Sequence, residues 1–341
     1  LARLGGWIKD VRPYRSMISP LDRAAQKSDL DRFVPQTVDN APWIATARGA
    51  YAETMIDSLN SAFTDLKLSG KRVAFDDARL GMRMLDDIDR LADGFGLLMS
   101  TRSVKSPVEI DMLRKATAIN QSAIEATIER WQPGMTWFDL THTYNVAATE
   151  SGGFVHDPGA LVLASSHGSD TSVAFTEEFD DFDIEPGMRI MFDCHGTKDL
   201  YCWDGGKTWI VDGQPEDMTT PAAVGTKNAM LAIHEALKPG VRVSDLVATG
   251  RAAFAKSDTP DPETCILFLH GLGLSHLDQE IGEEVEGSAT GDFSLAENMA
   301  VAIHLLVPGG AKERFWLEDI ALVTPDGADR IFTWNLDPQT G

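Results

Sequence analysis

The sequence is short of basic residues, of cysteines and of long apolar runs. Lys and Arg total 30 against 52 Asp and Glu over 341 residues, a formal charge of −22. Phosphate binding needs a basic footprint, so nucleic acid and anionic membrane surfaces are excluded as expected partners. No apolar run reaches the ~18 residues of a membrane span. The three cysteines, Cys194, Cys202 and Cys265, are too few for a disulfide framework. Reduced thiols and a cytoplasmic protein are expected. No basic start followed by an apolar block marks a signal peptide, and the chain opens on Leu1 rather than Met, as a trimmed sequence would. What remains is ordinary for a globular protein: 43% apolar and 24% charged residues, with length enough for two domains.

The chain divides near residue 100. Before it, helical patterns surround one clear strand, "KRVAFD", residues 71–76. At the junction, Ser106-Pro107 with Glu109 has the spacing of a helix N-cap and capping box, and a helix is expected from Pro107 to about Arg130. Beyond it comes an internal echo. Residues 120–152 and 227–258 both read as helix, Pro-Gly, a short strand-like step, then Asp-Leu in a second helix. Pro133-Gly134 matches Pro239-Gly240, and Asp139-Leu140 matches Asp245-Leu246, at one constant offset. β-rich sequence follows each copy. Two copies of a helix-pair and sheet unit imply one pseudo-two-fold domain over residues 101–341, with the sheet inside and the helices outside. Residues 1–100 are expected to form a smaller α/β domain.

Acids and imidazoles interrupt the β segments. "IMFDCHGTKDLYCWDGGKTWIV", residues 190–211, carries Asp193, His195 and Asp204. His270 opens "HGLGLSH", His304 interrupts "MAVAIHLLV", and Glu318 precedes "DIALVTPDG". An ionised carboxylate without a partner is costly to bury. A lone buried histidine is usually a satisfied core residue, but this many polar groups in apolar strands call for a counter-ion. A divalent cation supplies one, and carboxylate plus imidazole donors suit Zn, Mn, Fe or Co.

This order of residues resembles the pita-bread metallohydrolases of the peptidase M24 superfamily, which includes methionine aminopeptidase, aminopeptidase P, prolidase, creatinase and a branch of dimethylsulfoniopropionate lyases. "TRSVKSPVEIDMLRKA" is similar to the inter-domain helix of the creatinase and prolidase members. The resemblance implies an α/β (α+β) protein: a pita-bread catalytic domain with a curved antiparallel sheet and outer helices, behind a creatinase-like N-terminal domain. It implies Asp193, Asp204, His270 and Glu318 as metal ligands. His304 stands where the family has its fifth ligand, a glutamate. One or two divalent ions are expected, and the loss of one negative charge favours a mononuclear centre. His304 is expected to ligate or to hydrogen-bond the metal shell, its other ring nitrogen held by an acceptor. Asp204→Asn is expected to release the metal at little cost in stability.

Other positions depart from the family as well. His195 replaces a small residue, a step at which the lyase branch adds a polar ligand. The peptidases' extra histidine before the first metal strand is missing, with Phe175 near its place, and His276 stands one residue closer to His270 than usual. His167, in "SSHGSD", lies where relatives place a substrate-lining loop. His142, His156 and His234 read as structural or solvated.

The expected function is a metal-dependent hydrolase of a small amide or dipeptide-like substrate, resembling Xaa-Pro dipeptidase and creatinase, with His276 or His195 carrying the proton. The alternatives are a lyase on the same scaffold, a metal-free creatinase-like enzyme and a non-catalytic binding protein. The resemblance also implies a homodimer.

Overall fold

The computed structural model describes residues 10, 12, 14, 54–164, 181–278 and 291–340. His167 and Phe175 lie outside the described residues, as do residues 279–290. The chain forms two compact units, Leu1–Phe95 and Gly96–Gly341.

In the first unit, helix α1 (Met55–Asp65) is capped by Thr54, whose hydroxyl accepts from Asp57 N–H while Asp57 returns the bond. Strands β1 (Val73–Phe75) and β2 (Leu91–Asp93) pair in parallel. Helix α2 (Ala78–Met84) lies between them in sequence, completing a small βαβ crossover.

The second unit opens with helices α3 (Phe95–Ser103), α4 (Pro107–Arg130) and α5 (Trp137–Glu150). Ser106 caps α4: its N–H donates to Glu109 Oε2 at 2.7 Å, and its hydroxyl accepts from Glu109 N–H. The second helix pair is α6 (Pro221–Ala236) and α7 (Val243–Lys256). The strand-like steps of the echo behave alike. Thr136 makes an isolated antiparallel bridge to Asp183, and its counterpart Arg242 makes one to Ser294.

The strands are β3 (Phe154–Leu163), β4 (Arg189–Lys198), β5 (Tyr201–Trp203), β6 (Gly206–Ile210), β7 (Ile266–Gly271), β8 (Ala300–Val307), β9 (Phe315–Val323), β10 (Ala328–Arg330) and β11 (Gln339–Thr340). They form a nine-stranded sheet ordered β3-β4-β6-β9-β8-β7, with β5, β10 and β11 on its margins. Every pair on that path is antiparallel. The path enters from one edge as β3, β4, β6 and from the other as β7, β8, β9, so the halves meet at β6 and β9 as mirror orders. That is the two-fold implied by the echo.

Successive side chains on a strand point to opposite faces, and here the two faces do different work. On the helix-covered face, Ile190, Phe192 and Cys194 of β4 pack with Leu113, Ile124 and Tyr144 of α4 and α5. Leu267 and Leu269 of β7 and Val301, Ile303 and Leu305 of β8 pack with Met230, Ile233 and Leu246 of α6 and α7. The alternate residues of the same strands are left to the other face.

Candidate metal centre

Those alternate residues carry the polar groups. On β8 and β9, His304 and Glu318 are direct partners in the antiparallel register, so their side chains leave the sheet side by side. On β7, Phe268 is paired with His304 and His270 with Ala302, which places His270 diagonally across from His304. On β4, Asp193 and His195 share this face. One same-face step from the ligand positions, Phe268, Met191, Leu306 and Trp316 join Leu163 in an apolar cluster that floors the site.

Asp204 arrives differently. The β4–β5 hairpin turns at Asp199 and Leu200, both at positive φ, which suits a two-residue turn. The strand then breaks after Trp203, and Gly205 takes φ +92° before β6 begins. A Cβ on Gly205 would meet Glu318 Cδ at 2.9 Å, so only glycine lets the turn approach that close. The break is held from behind by a buried trio that the sequence reading missed. Asn120 Nδ2 donates to Gly205 O at 2.9 Å, Tyr144 OH donates to Asn120 Oδ1 at 2.8 Å, and Trp203 Nε1 donates to Tyr144 OH at 3.1 Å. Asn120 could have been noticed as a polar residue on the core face of α4.

The expected residues converge. Asp204, His270, His304 and Glu318 each offer one donor atom, and these atoms lie within 4.8 Å of one another. All four side chains are buried. His304 Nε2 is 2.7 Å from His270 Nε2 and 3.1 Å from Glu318 Oε1, and His270 Nε2 is 3.4 Å from Asp204 Oδ2. A second group of three, His195, Asp204 and His276, is equally compact. His195 Nε2 lies 2.6 Å from Asp204 Oδ1, and His276 Nε2 lies 2.7 Å from Oδ2. Asp193 is in neither group; its Oδ1 is 3.6 Å from His195 Nε2. His142 is exposed on α5. His234 is bound to Asp319 at 3.0 Å on the helix-covered face, a structural contact.

These donors fit a divalent cation on two grounds. First, both oxygens of Asp204 and of Glu318 are buried without a hydrogen bond among the described residues. Their short contacts with ring nitrogens are misaligned for hydrogen bonding, and buried polar groups rarely stay unsatisfied. Second, His270 Nδ1 lies 3.0 Å from Gly271 O, a carbonyl that can only accept. The proton is therefore on Nδ1, and Nε2 offers a bare lone pair to the cluster. His304 differs from expectation. Its Nδ1 has no hydrogen-bond partner among the described residues. Its ring is oriented by packing instead, stacked on Phe268 at 4.0 Å between centroids and met edge-on by Trp316 at 5.4 Å.

The electrostatics agree with that donor set. Burial lowers the His270 imidazole to about 4 against the pull of Asp204. Burial also takes His304 well below its usual range, helped by His270. Both are neutral near pH 7, the form that ligates. Burial, then Asp204 and Asp193, pushes the Glu318 carboxyl well above its ordinary value. Burial likewise raises Asp193 to about 6, while His195 draws it down. His195 goes the other way: burial disfavours its charge, yet Asp204 and Asp193 outweigh burial and raise it to about 9. His195 thus sits as an imidazolium beside two carboxylates.

The comparisons with known proteins agree with the fold. Metallopeptidase family M24 matches residues 111–325. A protein named probable dipeptidase PepE, from Mycobacterium tuberculosis, is 29% identical over 255 residues, covering 70% of this chain and 63% of that protein. The match thus spans less than two thirds of that relative's length. Among solved structures, an X-Pro aminopeptidase from Thermotoga maritima superposes with a TM-score of 0.69 at 20% identity, covering 88% of this chain and 84% of its own. Dipeptidase PepE from Mycobacterium ulcerans gives 0.65 at 21% identity, covering 87% and 79%. At these identities the structures show a shared fold, the pita-bread architecture, and the family match spans more than half of the chain. On that match, and with this fold beneath it, the chain belongs to metallopeptidase family M24.

Proposed function

We propose that this chain is a metal-dependent hydrolase of a dipeptide-like or other small amide substrate. The observation that carries the reading is the group of four buried donors, Asp204, His270, His304 and Glu318, whose oxygens lack partners. The names of its relatives, probable dipeptidase and Xaa-Pro dipeptidase, support the substrate class.

One divalent ion, Mn, Zn, Fe or Co, is assigned to those four residues. When bound, it supplies Lewis acidity to a scissile carbonyl and lowers the pKa of water. The remaining roles belong to side chains. His276 is one-third exposed and touches Asp204, so it links the buried cluster to solvent. It takes the proton of the attacking water and returns it to the leaving amine. His195 holds a positive charge between Asp193 and Asp204, where it offsets two carboxylates. That internal cation, together with the imidazole of His304 in place of a carboxylate, favours a single ion. His167 is assigned to the substrate side.

A homodimer is proposed as well. It is supported by apolar side chains left exposed near the start of the second unit, Leu97 at 70% and Val108 at 64%. A cytoplasmic setting is supported by the cysteine content, three in 341 residues, which is too low for a disulfide framework.

The test is metal analysis of protein purified with Mn, Co, Zn or Fe supplied in turn, followed by amine release from prolyl dipeptides. Near one ion per chain with metal-dependent amine release is expected. Full dipeptide turnover in chelator-stripped protein would overturn the metal role. Elimination products from sulfonium acids, with no amine release, would replace the hydrolase by a lyase on the same scaffold.

A further inference from the structure

His276 is the one histidine of the cluster that lies outside the strands. It sits on the loop after β7, one-third exposed, with its ring tilted against His195 at 4.1 Å and edge-on to His270 at 5.1 Å between centroids. Behind that loop lies a buried charge cluster that the proposed chemistry does not use. The side chains of Lys105 and Asp278 are each 1% exposed, with Nζ 3.0 Å from Oδ2. Lys105 Nζ also donates to Arg102 O. Arg102 Nη2 lies 2.8 Å from Asp278 Oδ1 and donates to Ser275 Oγ at 3.3 Å. Asp278 ties the loop to itself: Leu274 N–H donates to Oδ2 at 3.1 Å, and Asp278 N–H donates to Gly271 O at 3.0 Å. Gly273 makes room for the pair. A Cβ there would overlap Asp278 Oδ2 and stand 2.8 Å from Lys105 Nζ.

A buried ion pair returns little net stability, because desolvation offsets most of the Coulombic gain. A fixed geometry is what it does supply. Two cations from the segment before α4 converge on one carboxylate, two residues beyond His276. Through Asp278 and Ser275 they hold the turn that carries His276, whose Nε2 lies 2.7 Å from Asp204 Oδ2.

We propose that Lys105, Arg102 and Asp278 are positioning residues that lock this loop and so hold His276 against Asp204. Its effect on turnover rests on the role given to His276 above; its effect on geometry does not. Three variants test it. Asp278→Asn and Lys105→Met break the pair, and Gly273→Ala displaces Asp278 while leaving every charge in place, which covers the case in which a broken pair fails to fold. Crystal structures of the variants are expected to show His276 out of hydrogen-bonding reach of Asp204, with His270, His304 and Glu318 unmoved. Prolyl dipeptide hydrolysis with Mn is expected to fall in kcat by about 100-fold, the order expected of a misplaced group, with KM and calorimetric Mn affinity nearly unchanged. His276 remaining on Asp204 in the variants overturns the proposal. So does a parallel fall of Mn affinity and thermal stability with kcat, which would mark a merely structural pair. Wild-type protein that hydrolyses no dipeptide overturns the function proposed above, and the crystallographic comparison still decides the latch.

Discussion

His304 and Glu318 stand opposite each other on adjacent antiparallel strands, with Nε2 3.1 Å from Oε1. One hairpin therefore delivers two of the four donors in a single cross-strand pair. Their closeness in sequence is the register of that hairpin.

Replacing His304 tests the imidazole in this pair. His304→Gln should weaken Mn binding by about 100-fold or more, read by calorimetry, since even outer partners of a ligand are worth 10–100-fold. His304→Glu restores a carboxylate and should raise Mn or Co uptake toward two ions per chain while lowering turnover. Unchanged metal content in His304→Gln would show a core histidine rather than a ligand.

Asp204→Asn should release the metal. The sequence alone suggested little cost in stability, because a carboxylate repulsion is relieved. The structure reverses that expectation, since Asp204 is the nearest anion to both His195 and His276. Removing it leaves a buried imidazolium poorly paired, which should cost on the order of 3 kcal/mol in urea unfolding of metal-free protein. An unfolding midpoint equal to that of wild type would refute this.

His195 should make the stability of the metal-free protein depend on pH. Its value is raised in the fold from 6.5 to about 9. The folded chain then binds more protons than the unfolded chain between those limits. The stabilisation is fully present below pH 6.5 and is lost as pH rises through 9. About 1–3 kcal/mol should disappear across that window. Denaturant titrations at several pH values, repeated on His195→Gln, check it: the variant should lose this slope.

Gly205→Ala should damage fold and site together. It places a Cβ at φ +92° and 2.9 Å from Glu318 Cδ. A loss of about 1–3 kcal/mol is expected from the backbone alone. Displacement of Glu318 should also lower Mn affinity, and calorimetry that finds wild-type affinity would contradict the close approach.

The proposed homodimer is checked by sedimentation. Particles well above 37.2 kDa are expected at micromolar concentration. Leu97→Glu with Val108→Glu should shift them toward the monomer mass, and wild-type particles that stay at monomer mass would exclude the dimer.

The local parts were legible in the order of residues alone. Ser106, Pro107 and Glu109 specify the start of α4 through bonds that span only a few residues. The echo specified the two-fold, because each copy repeats the same helix, turn and strand chemistry. The two-residue period of a strand specified that Asp193 and His195 share a face, and that polar residues at 270, 304 and 318 interrupt apolar strands for a reason. What it left open depended on register and on contacts between distant segments. Nothing in the linear spacing says that His270 and His304 meet at 2.7 Å, since that follows from the β7–β8 alignment. Nor does it say that His195 lies against Asp204 rather than pointing past it, because Asp204 is brought round by the break at Gly205 and the bonds of Asn120. Nothing in the sequence pairs Lys105 with Asp278, which the fold buries together. Periodicity decides which face a side chain takes. Which side chains then meet is decided by the packing of the whole sheet, where one residue of slip would move every donor to the wrong face.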